Sequence, residues 1–316
     1  MKSGYIDIFL STILFSTMEI ALKLVSNQFN PIQMTFLRFF IGGIVLLPLA
    51  IKNTKSPLKK EDFKFFAVQG FICVVVSMVF FQLAVEYGKA SIVAILFSCN
   101  PVFVVLFAYF MVNEKIYKTT IISLIISVLG MLCIMNPLNM TNNVNSIIFA
   151  ILAAVTFALY GVTGKKKSNE FGGVAQSCFS FIMGSVEMLI LILLTKISFV
   201  SNFFSNHGLK MFANIPILKG ITLQSLPSLI YIGVFVTGLG YTFYFLAMEK
   251  TTAATASLVF YIKPALAPIL ALIILKEDIA INTVLGIVLI ILSSGITFAA
   301  NSKRDRQNSI EQEKCV

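Results

Sequence analysis

The sequence has few of the residues on which most catalytic and metal sites depend. It contains one histidine, His207, no tryptophan, and only 12% charged residues among its 316 positions. A single histidine gives no basis for a histidine metal cluster or a Ser-His-Asp triad. Soluble domains carry about 25% charged residues, so the low charge content excludes an ordinary soluble enzyme.

The five cysteines form no CxxC pair and no spacing typical of a metal site. Four of them, Cys73, Cys99, Cys133 and Cys178, lie inside apolar runs, where cysteine behaves as a small hydrophobic residue. The sequence therefore predicts no disulfide framework, no metal site and no cofactor.

Apolar residues are abundant instead. They make up 58% of the chain, and the mean hydropathy is +0.92. A membrane-spanning helix needs about 20 mostly apolar residues, and ten stretches approach that length. The sequence thus predicts an all-α integral membrane protein with ten transmembrane helices. The predicted spans are Tyr5–Val25, Pro31–Ile51, Phe63–Val85, Ala90–Val112, Thr119–Met135, Ile147–Gly164, Val174–Leu194, Leu226–Met248, Ala253–Leu275 and Ile279–Ala300.

The net charge of +10 follows the pattern of a membrane protein rather than that of a nucleic-acid-binding protein. No basic run is interleaved with aromatic residues, so nucleic acid is not an expected partner. With the N-terminus inside, 16 Lys and Arg fall in the inner segments and 6 in the outer ones. The positive-inside rule then predicts cytoplasmic N- and C-termini, with Lys165–Lys167 inside and Lys196–Ser225 outside. Only 3 of the 24 basic residues are arginine, which favours a bacterial plasma membrane.

The chain resembles itself at an offset of 163 residues. Nine of 35 positions coincide when residues 80–114 are shifted onto 243–277, including Glu86/Glu249, Pro101/Pro264 and Glu114/Glu277. Each half contains five spans, an odd number, so the second half must be inverted in the membrane. We therefore expect two inverted five-helix repeats, residues 1–140 and 141–300, and a short polar cytoplasmic tail, residues 301–316. Such repeats are typical of secondary transporters with a site near the midplane.

Proline recurs in the fourth span of each half. Pro101 and Pro264 are both predicted at residue 12 of a 23-residue span, and Pro268 follows one turn later. A proline within a helix removes one hydrogen bond and frees the carbonyl four residues earlier. We expect Pro101, Pro264 and Pro268 to act as helix breaks or in gating at the substrate site.

Several short motifs resemble a known family. Gly238-Leu-Gly-Tyr241, Ala247-Met-Glu-Lys250, Lys263-Pro264, Ala267-Pro268 and Glu277 are similar to the second half of EamA-type carriers of the drug/metabolite transporter superfamily. Pro31, Leu37-Arg38, Pro101 and Glu114 are similar to the first half, although Phe15-Ser16 stands where the family usually has Trp-Gly. The resemblance implies an exporter or exchanger of amino acids or related metabolites that works by alternating access without ATP.

Four ionisable residues are predicted well inside spans: Glu19, Arg38, Glu187 and Lys263. Each costs about 2.5–3.5 kcal/mol at a helix centre, and such residues usually mark a pathway. None of them recurs in the other half, where Lys263 corresponds to Asn100. We therefore expect these four residues, with Asn100, Tyr160 and Tyr241, to form the substrate-binding pathway. Glu19 could instead pair locally with Lys23, Arg38 could be a structural contact, and Glu187 could face an internal polar contact away from the substrate.

Glu86, Glu249, Glu114 and Glu277 lie at span ends and recur in both halves, so they are predicted to be scaffold contacts at helix ends. The predicted function is secondary transport of a small molecule, coupled to protons or a counter-substrate. The alternatives are a multidrug or organic-cation efflux carrier, a passive channel and an intramembrane enzyme. The sequence does not indicate the oligomeric state.

Overall fold

A computed structural model describes residues 2–54, 57–113, 117–135, 143–277 and 279–314. The regular elements of these ranges are all helical, and no strand occurs in them. The α-helices are α1 (Lys2–Ser16), α2 (Met18–Val25), α3 (Pro31–Asn53), α4 (Lys60–Gly70), α5 (Met78–Tyr87), α6 (Ala90–Phe97), α7 (Asn100–Val112), α8 (Lys118–Met135), α9 (Val144–Phe171), α10 (Gly173–Leu194), α11 (Ser198–Asn206), α12 (Leu226–Ile230), α13 (Gly240–Lys250), α14 (Ala253–Ala256), α15 (Val259–Leu275) and α16 (Ile281–Lys314).

Seven helical segments are long and apolar enough to cross a membrane. They are Gly4–Val25, Pro31–Asn53, Lys60–Tyr87, Ala90–Val112, Val144–Lys165, Gly173–Leu194 and Leu226–Lys250. Each coincides with a span predicted from the sequence. The three remaining predicted spans overlap shorter apolar helices, Lys118–Ile134, Leu266–Leu275 and Ile281–Ser293.

The fourth span of the sequence is two helices, which corrects the prediction that Pro101 lies in the middle of one. α6 ends at Phe97, a turn covers Ser98 and Cys99, and Pro101 lies in the first turn of α7. A proline is tolerated there because the first backbone N–H groups of a helix have no partner within the helix. Pro264 and Pro268, in contrast, lie inside α15 as predicted.

Two further irregularities are π-helical segments. Phe71–Ser77 joins α4 to α5, and Tyr231–Leu239 joins α12 to α13. Each lies in the third apolar span of its half of the chain. Such wide turns are rare and often occur at functional sites.

The predicted sixth span ends at Gly164, but the helix continues through the lysine triplet Lys165–Lys167. α9 continues to Phe171, and only Gly172, with φ of 95°, separates it from α10. Glycine adopts this positive-φ conformation without a steric penalty, which lets α10 begin after one intervening residue.

The start of α3 shows how local sequence sets a helix end. The Asn30 side chain accepts hydrogen bonds from the backbone N–H groups of Ile32 and Gln33, and Gln33 accepts one from the Asn30 N–H. Pro31 occupies the first turn, where the backbone N–H group that proline lacks would have no partner within the helix. The Gln33 amide also donates to the carbonyls of Ile217 and Lys219, which holds that long connection against α3.

The helices pack in pairs across the two halves of the chain. α3 packs on α10, α8 on α16 and α6 on α15. α1 contacts α13 and α15, and α9 contacts α5, α6 and α7. The first span of each half therefore packs on the third and fourth spans of the other half.

Glycines allow the closest of these approaches. A Cβ atom added at Gly184 of α10 would lie 2.6 Å from the Gly70 carbonyl oxygen, and one added at Gly42 of α3 would lie 3.1 Å from the Gly233 oxygen. Gly70 and Gly233 are 163 residues apart, the offset of the sequence repeat. Small residues let backbones approach closely where membrane helices cross.

Candidate functional site

The centre of the molecule contains an ion pair between Glu19 and Lys263, and both side chains are fully buried. Glu19 lies on α2, immediately after the interruption at Thr17, and Lys263 precedes Pro264 in α15. The Lys263 Nζ atom lies 5.0 Å from the ring centroid of Phe97 and 5.7 Å from that of Phe81. Both charged residues are predicted from the sequence, but the sequence does not decide which cation pairs with Glu19.

Arg38 lies in the same region and forms no ion pair with a carboxylate of the described residues. Its guanidinium carbon is 4.8 Å from the Phe39 ring centroid and 5.9 Å from that of Phe81. One Nη atom contacts the Met18 sulfur at 3.5 Å, whereas the Nε and the other Nη atom have no hydrogen-bond partner in the described residues. Arg38 is fully buried.

Aromatic rings enclose these charges. The Tyr241 ring packs edge-on against Phe15, Phe39, Phe157 and Phe181, at centroid distances of 4.9, 5.6, 5.7 and 5.1 Å. Its hydroxyl lies 3.0 Å from the Met78 sulfur. The helices that contribute these rings come from both halves of the chain.

Tyr160 and Asn100 lie at the edge of this cluster. The fully buried Tyr160 packs on Phe157, and its hydroxyl has no hydrogen-bond partner in the described part of the chain. Asn100, the counterpart of Lys263, donates through its Nδ2 to the Ala154 carbonyl at 2.8 Å, and its Oδ1 is unpaired. Both contribute buried polar atoms.

Lys23 does not pair with Glu19. Its ammonium donates to the backbone carbonyls of Val85 and Gly88, at 2.9 and 3.0 Å, and thereby caps the end of α5. A cation is favourable at this position because the C-terminal carbonyls of a helix are unpaired and partly negative.

Glu187 lies apart from the central charges. It is half-buried on α10, and its Oε2 atom has no hydrogen-bond partner among the residues that the structure describes. No ion pair among those residues joins Glu187 to Lys263 or to Arg38. The four intramembrane charges therefore do not form one neutral group.

The repeated glutamates lie at helix ends. Glu277 accepts hydrogen bonds from the backbone N–H groups of Ala90 and Ser91 at the start of α6, at 2.8 and 3.0 Å, and from the Ser91 hydroxyl at 2.6 Å. Glu249 accepts a bond from the Gly173 N–H at the start of α10. Glu86 lies at the end of α5. Glu114 lies outside the described residues.

A second polar group, not predicted from the sequence, consists of the buried Gln69, Gln176 and Ser180 and the partly buried Thr163. The Gln69 amide donates to the Thr163 hydroxyl at 2.6 Å, and the Gln176 amide contacts the Ser180 hydroxyl at 3.2 Å. Two glutamines inside predicted spans were the signal that could have revealed it, because uncharged polar residues in membrane helices commonly bond across helices.

Comparisons with known proteins agree with this architecture. The model of the EamA-like transporter family matches residues 2–136 and again residues 144–299. An uncharacterized transporter of Clostridium kluyveri is 40% identical over 314 residues, which cover 96% of this chain and 95% of that protein. The Bacillus subtilis transporter YoaV is 25% identical and covers 88% of this chain and 91% of its own length.

Two further matches are more distant. A Rickettsia prowazekii protein named as an S-adenosylmethionine uptake transporter is 24% identical over 158 residues, about half of each chain. A crystal structure with 15% sequence identity superimposes with a TM-score of 0.69 and covers 96% of this chain and 98% of its own, which shows the fold. The family match covers almost the whole sequence, and the chain is a multi-pass membrane protein that belongs to the EamA-like transporter family.

Proposed function

We propose that this chain is a secondary carrier that exports or exchanges small metabolites, with amino acids and related compounds as the favoured class. The observation that carries the proposal is the Glu19–Lys263 ion pair, fully buried between the two halves of the chain. Charges inside a membrane are costly, and a buried pair is weak evidence for a stabilising role. A polar solute that the pair binds accounts for its position.

The proposal includes ten spans arranged as two inverted repeats, residues 1–140 and 141–300. Three observations support it. The family model matches the chain twice, in consecutive blocks. The helix contacts are reciprocal between the halves, and both halves have a π-helical segment in the third span. An inverted pair of repeats places equivalent surfaces on opposite sides of the membrane, which suits alternating access.

Alternating access would act on the ion pair directly, because Glu19 belongs to one half and Lys263 to the other. Rocking of one half against the other would separate the carboxylate from the ammonium and open both to a solute. Pro264 and Pro268 interrupt the backbone hydrogen bonds of α15 beside the site, and the turn before Pro101 divides the equivalent span. Tyr160, Tyr241 and Asn100 would line the opened site.

The caps by Glu249 and Glu277 support a scaffold role, because each ties a helix start to a distant segment. We assign the same role to Glu86 and Glu114. The carrier is proposed to lie in a bacterial plasma membrane with both termini in the cytoplasm, and to be coupled to protons or to a counter-substrate.

Counter-exchange in proteoliposomes tests the function. Vesicles that contain the protein and are loaded with one unlabelled amino acid should accumulate the labelled form of the same amino acid with saturating kinetics. Vesicles without protein should not accumulate it. A thermal-shift screen first identifies the ligand, because a compound that binds the native state raises its melting temperature. S-adenosylmethionine belongs in that screen. Flux that rises linearly with concentration and shows no exchange would indicate a channel instead.

A further inference from the structure

The buried charges at the proposed site do not sum to zero. Glu19 is paired with Lys263, and this pair has no net charge wherever its shared proton resides. Arg38 adds one positive charge, and arginine stays protonated in proteins. The ionisable groups near its guanidinium include those of Tyr241, Cys73, Glu19 and Lys263, and Glu19 is the one carboxylic acid among these four. The centre therefore carries a net charge of +1.

The rings that flank Arg38 compensate for little of this charge. Phe39 and Phe81 lie within cation–π range of the guanidinium, but phenylalanine rings carry no negative charge and no oxygen or nitrogen acceptor for its N–H groups. The Met18 sulfur is a weak acceptor, and the Nε and one Nη atom have no partner among the described residues. A buried guanidinium without a counter-charge is unfavourable, because no ion pair offsets the loss of its hydration.

The geometry of a guanidinium indicates what would pair with it. Arginine presents N–H donors in a planar fork that matches the two oxygens of a carboxylate. The free Nε and Nη atoms of Arg38 form one edge of that fork. No carboxylate of the described chain occupies this edge, since Glu19 is bound to Lys263 and Glu187 makes no ion pair with the central charges.

We propose that the transported species is a small carboxylate with a net charge of −1, and that its carboxylate binds Arg38. Acidic amino acids and hydroxy acids belong to this class, whereas zwitterionic amino acids and cations do not. The bound state then has no net charge at the centre. This inference rests on the proposed carrier function and specifies its substrate.

Matched ligand pairs test the charge directly on the purified, detergent-solubilised protein. Glutamate and glutamine differ little in shape, as do aspartate and asparagine, and each pair differs by one unit of charge. Lactate and alanine form a third pair, and S-adenosylmethionine is a cationic probe. We expect the anionic member of at least one pair to bind at least about tenfold more tightly than its neutral partner in thermal-shift titrations at fixed ionic strength.

Variants of Arg38 separate charge from packing. Arg38→Gln brings the centre to zero charge, so the preference for the anion should fall at least about tenfold. Arg38→Lys retains the charge and should retain the preference with weaker binding. Lys52→Gln removes one exposed positive charge from the other end of α3 and should leave the preference unchanged. If Arg38→Gln fails to fold, the comparison of anionic and neutral ligands on the wild-type protein still tests the charge preference.

Three results would overturn the inference: equal or tighter binding of the neutral members, tighter binding of S-adenosylmethionine, or no binding of any anion in the panel. None of these is the same as failure of the proposed function. Saturable exchange of a zwitterion or a cation would leave the carrier intact and refute only the charge assignment. Absence of saturable exchange for every metabolite would refute the carrier itself.

Discussion

Loss of either member of the Glu19–Lys263 pair leaves the other charge buried without its partner. Lys263→Met should therefore abolish transport and destabilise the folded protein by about 3–5 kcal/mol, the usual cost of breaking a buried pair. The double variant Glu19→Gln/Lys263→Met should regain most of that stability without regaining transport. Melting in detergent and exchange in proteoliposomes measure the two effects separately.

Membrane insertion gives an independent check on this prediction. Removal of a charge near the middle of a span eases insertion, so Lys263→Met should be inserted at least as well as the wild-type chain. Wild-type exchange rates in Lys263→Met would show that the pair is not part of the transport route.

At the scale of residues, the sequence predicted which charges lie in the membrane but not which of them meet. Hydropathy alone identifies Glu19, Arg38 and Lys263, because each interrupts an apolar run. Lys23, one helical turn from Glu19, was the nearer partner by sequence, yet it caps α5. Partner choice depends on how α2 packs against α5 and α15, which no local pattern contains.

At the scale of helices, Glu277 joins two distant elements through three hydrogen bonds at the start of α6. Glu277→Ala leaves those donors unpaired and should lower the stability by about 1–2 kcal/mol. Glu61→Ala removes an exposed carboxylate from the first turn of α4 and should change stability little. Equal melting temperatures for the two variants would contradict the cap.

The repeat extends this prediction to Glu114. Positions Ala90, Ser91 and Glu277 correspond, at the offset of 163, to Ala253, Ala254 and Glu114. We expect Glu114 to cap the start of α14, although no serine hydroxyl adds a third bond there. Glu114→Ala should therefore lower the melting temperature nearly as much as Glu277→Ala does. A neutral effect on melting would show that the repeat does not extend to this contact.

The crossing of α10 with α4 requires glycine at position 184. A methyl group there would lie 2.6 Å from the Gly70 carbonyl oxygen and the same distance from a Val74 methyl, closer than real side chains approach. Gly184→Ala should destabilise the protein by about 1–3 kcal/mol through overpacking. Gly295→Ala is the matched control, since nothing lies within 4 Å of its added carbon. Comparable melting of the two variants would refute the close approach.

Hydropathy predicted the apolar segments well because one property, length of apolar sequence, decides them. The turn at Ser98 and Cys99 and the π-helical segments were not predicted. Each changes the local backbone hydrogen-bond pattern while the chain stays helical on both sides. These details therefore depend on packing rather than on the composition of the span.

At the scale of the whole molecule, the offset of 163 residues relates positions that lie far apart in the sequence. It relates Asn100 to Lys263 and Gly70 to Gly233, and it indicates that the halves share a scaffold but not a charge pattern. Symmetric features can be predicted from one half to the other. The central site cannot be predicted in this way, because its charges occur only once.

At the scale of the whole molecule, the charge distribution also predicts the orientation of the protein in the membrane. With the N-terminus inside, 16 basic residues face the cytoplasm and 6 face outward, and the rule that relates charge to orientation rests on such an excess. In a background without the five native cysteines, a cysteine at Asn206, exposed at the end of α11, should react in intact cells with a reagent that cannot cross the membrane. A cysteine at Ser168 should react only after the membrane is made permeable, because the proposed inversion of the second half would place the end of α9 inside. Labelling of Ser168 but not Asn206 in intact cells would reverse the orientation, and with it the side on which Lys165–Lys167 lies. Labelling of both in intact cells would place the two segments on the same side, which α10 cannot satisfy if it crosses the membrane once.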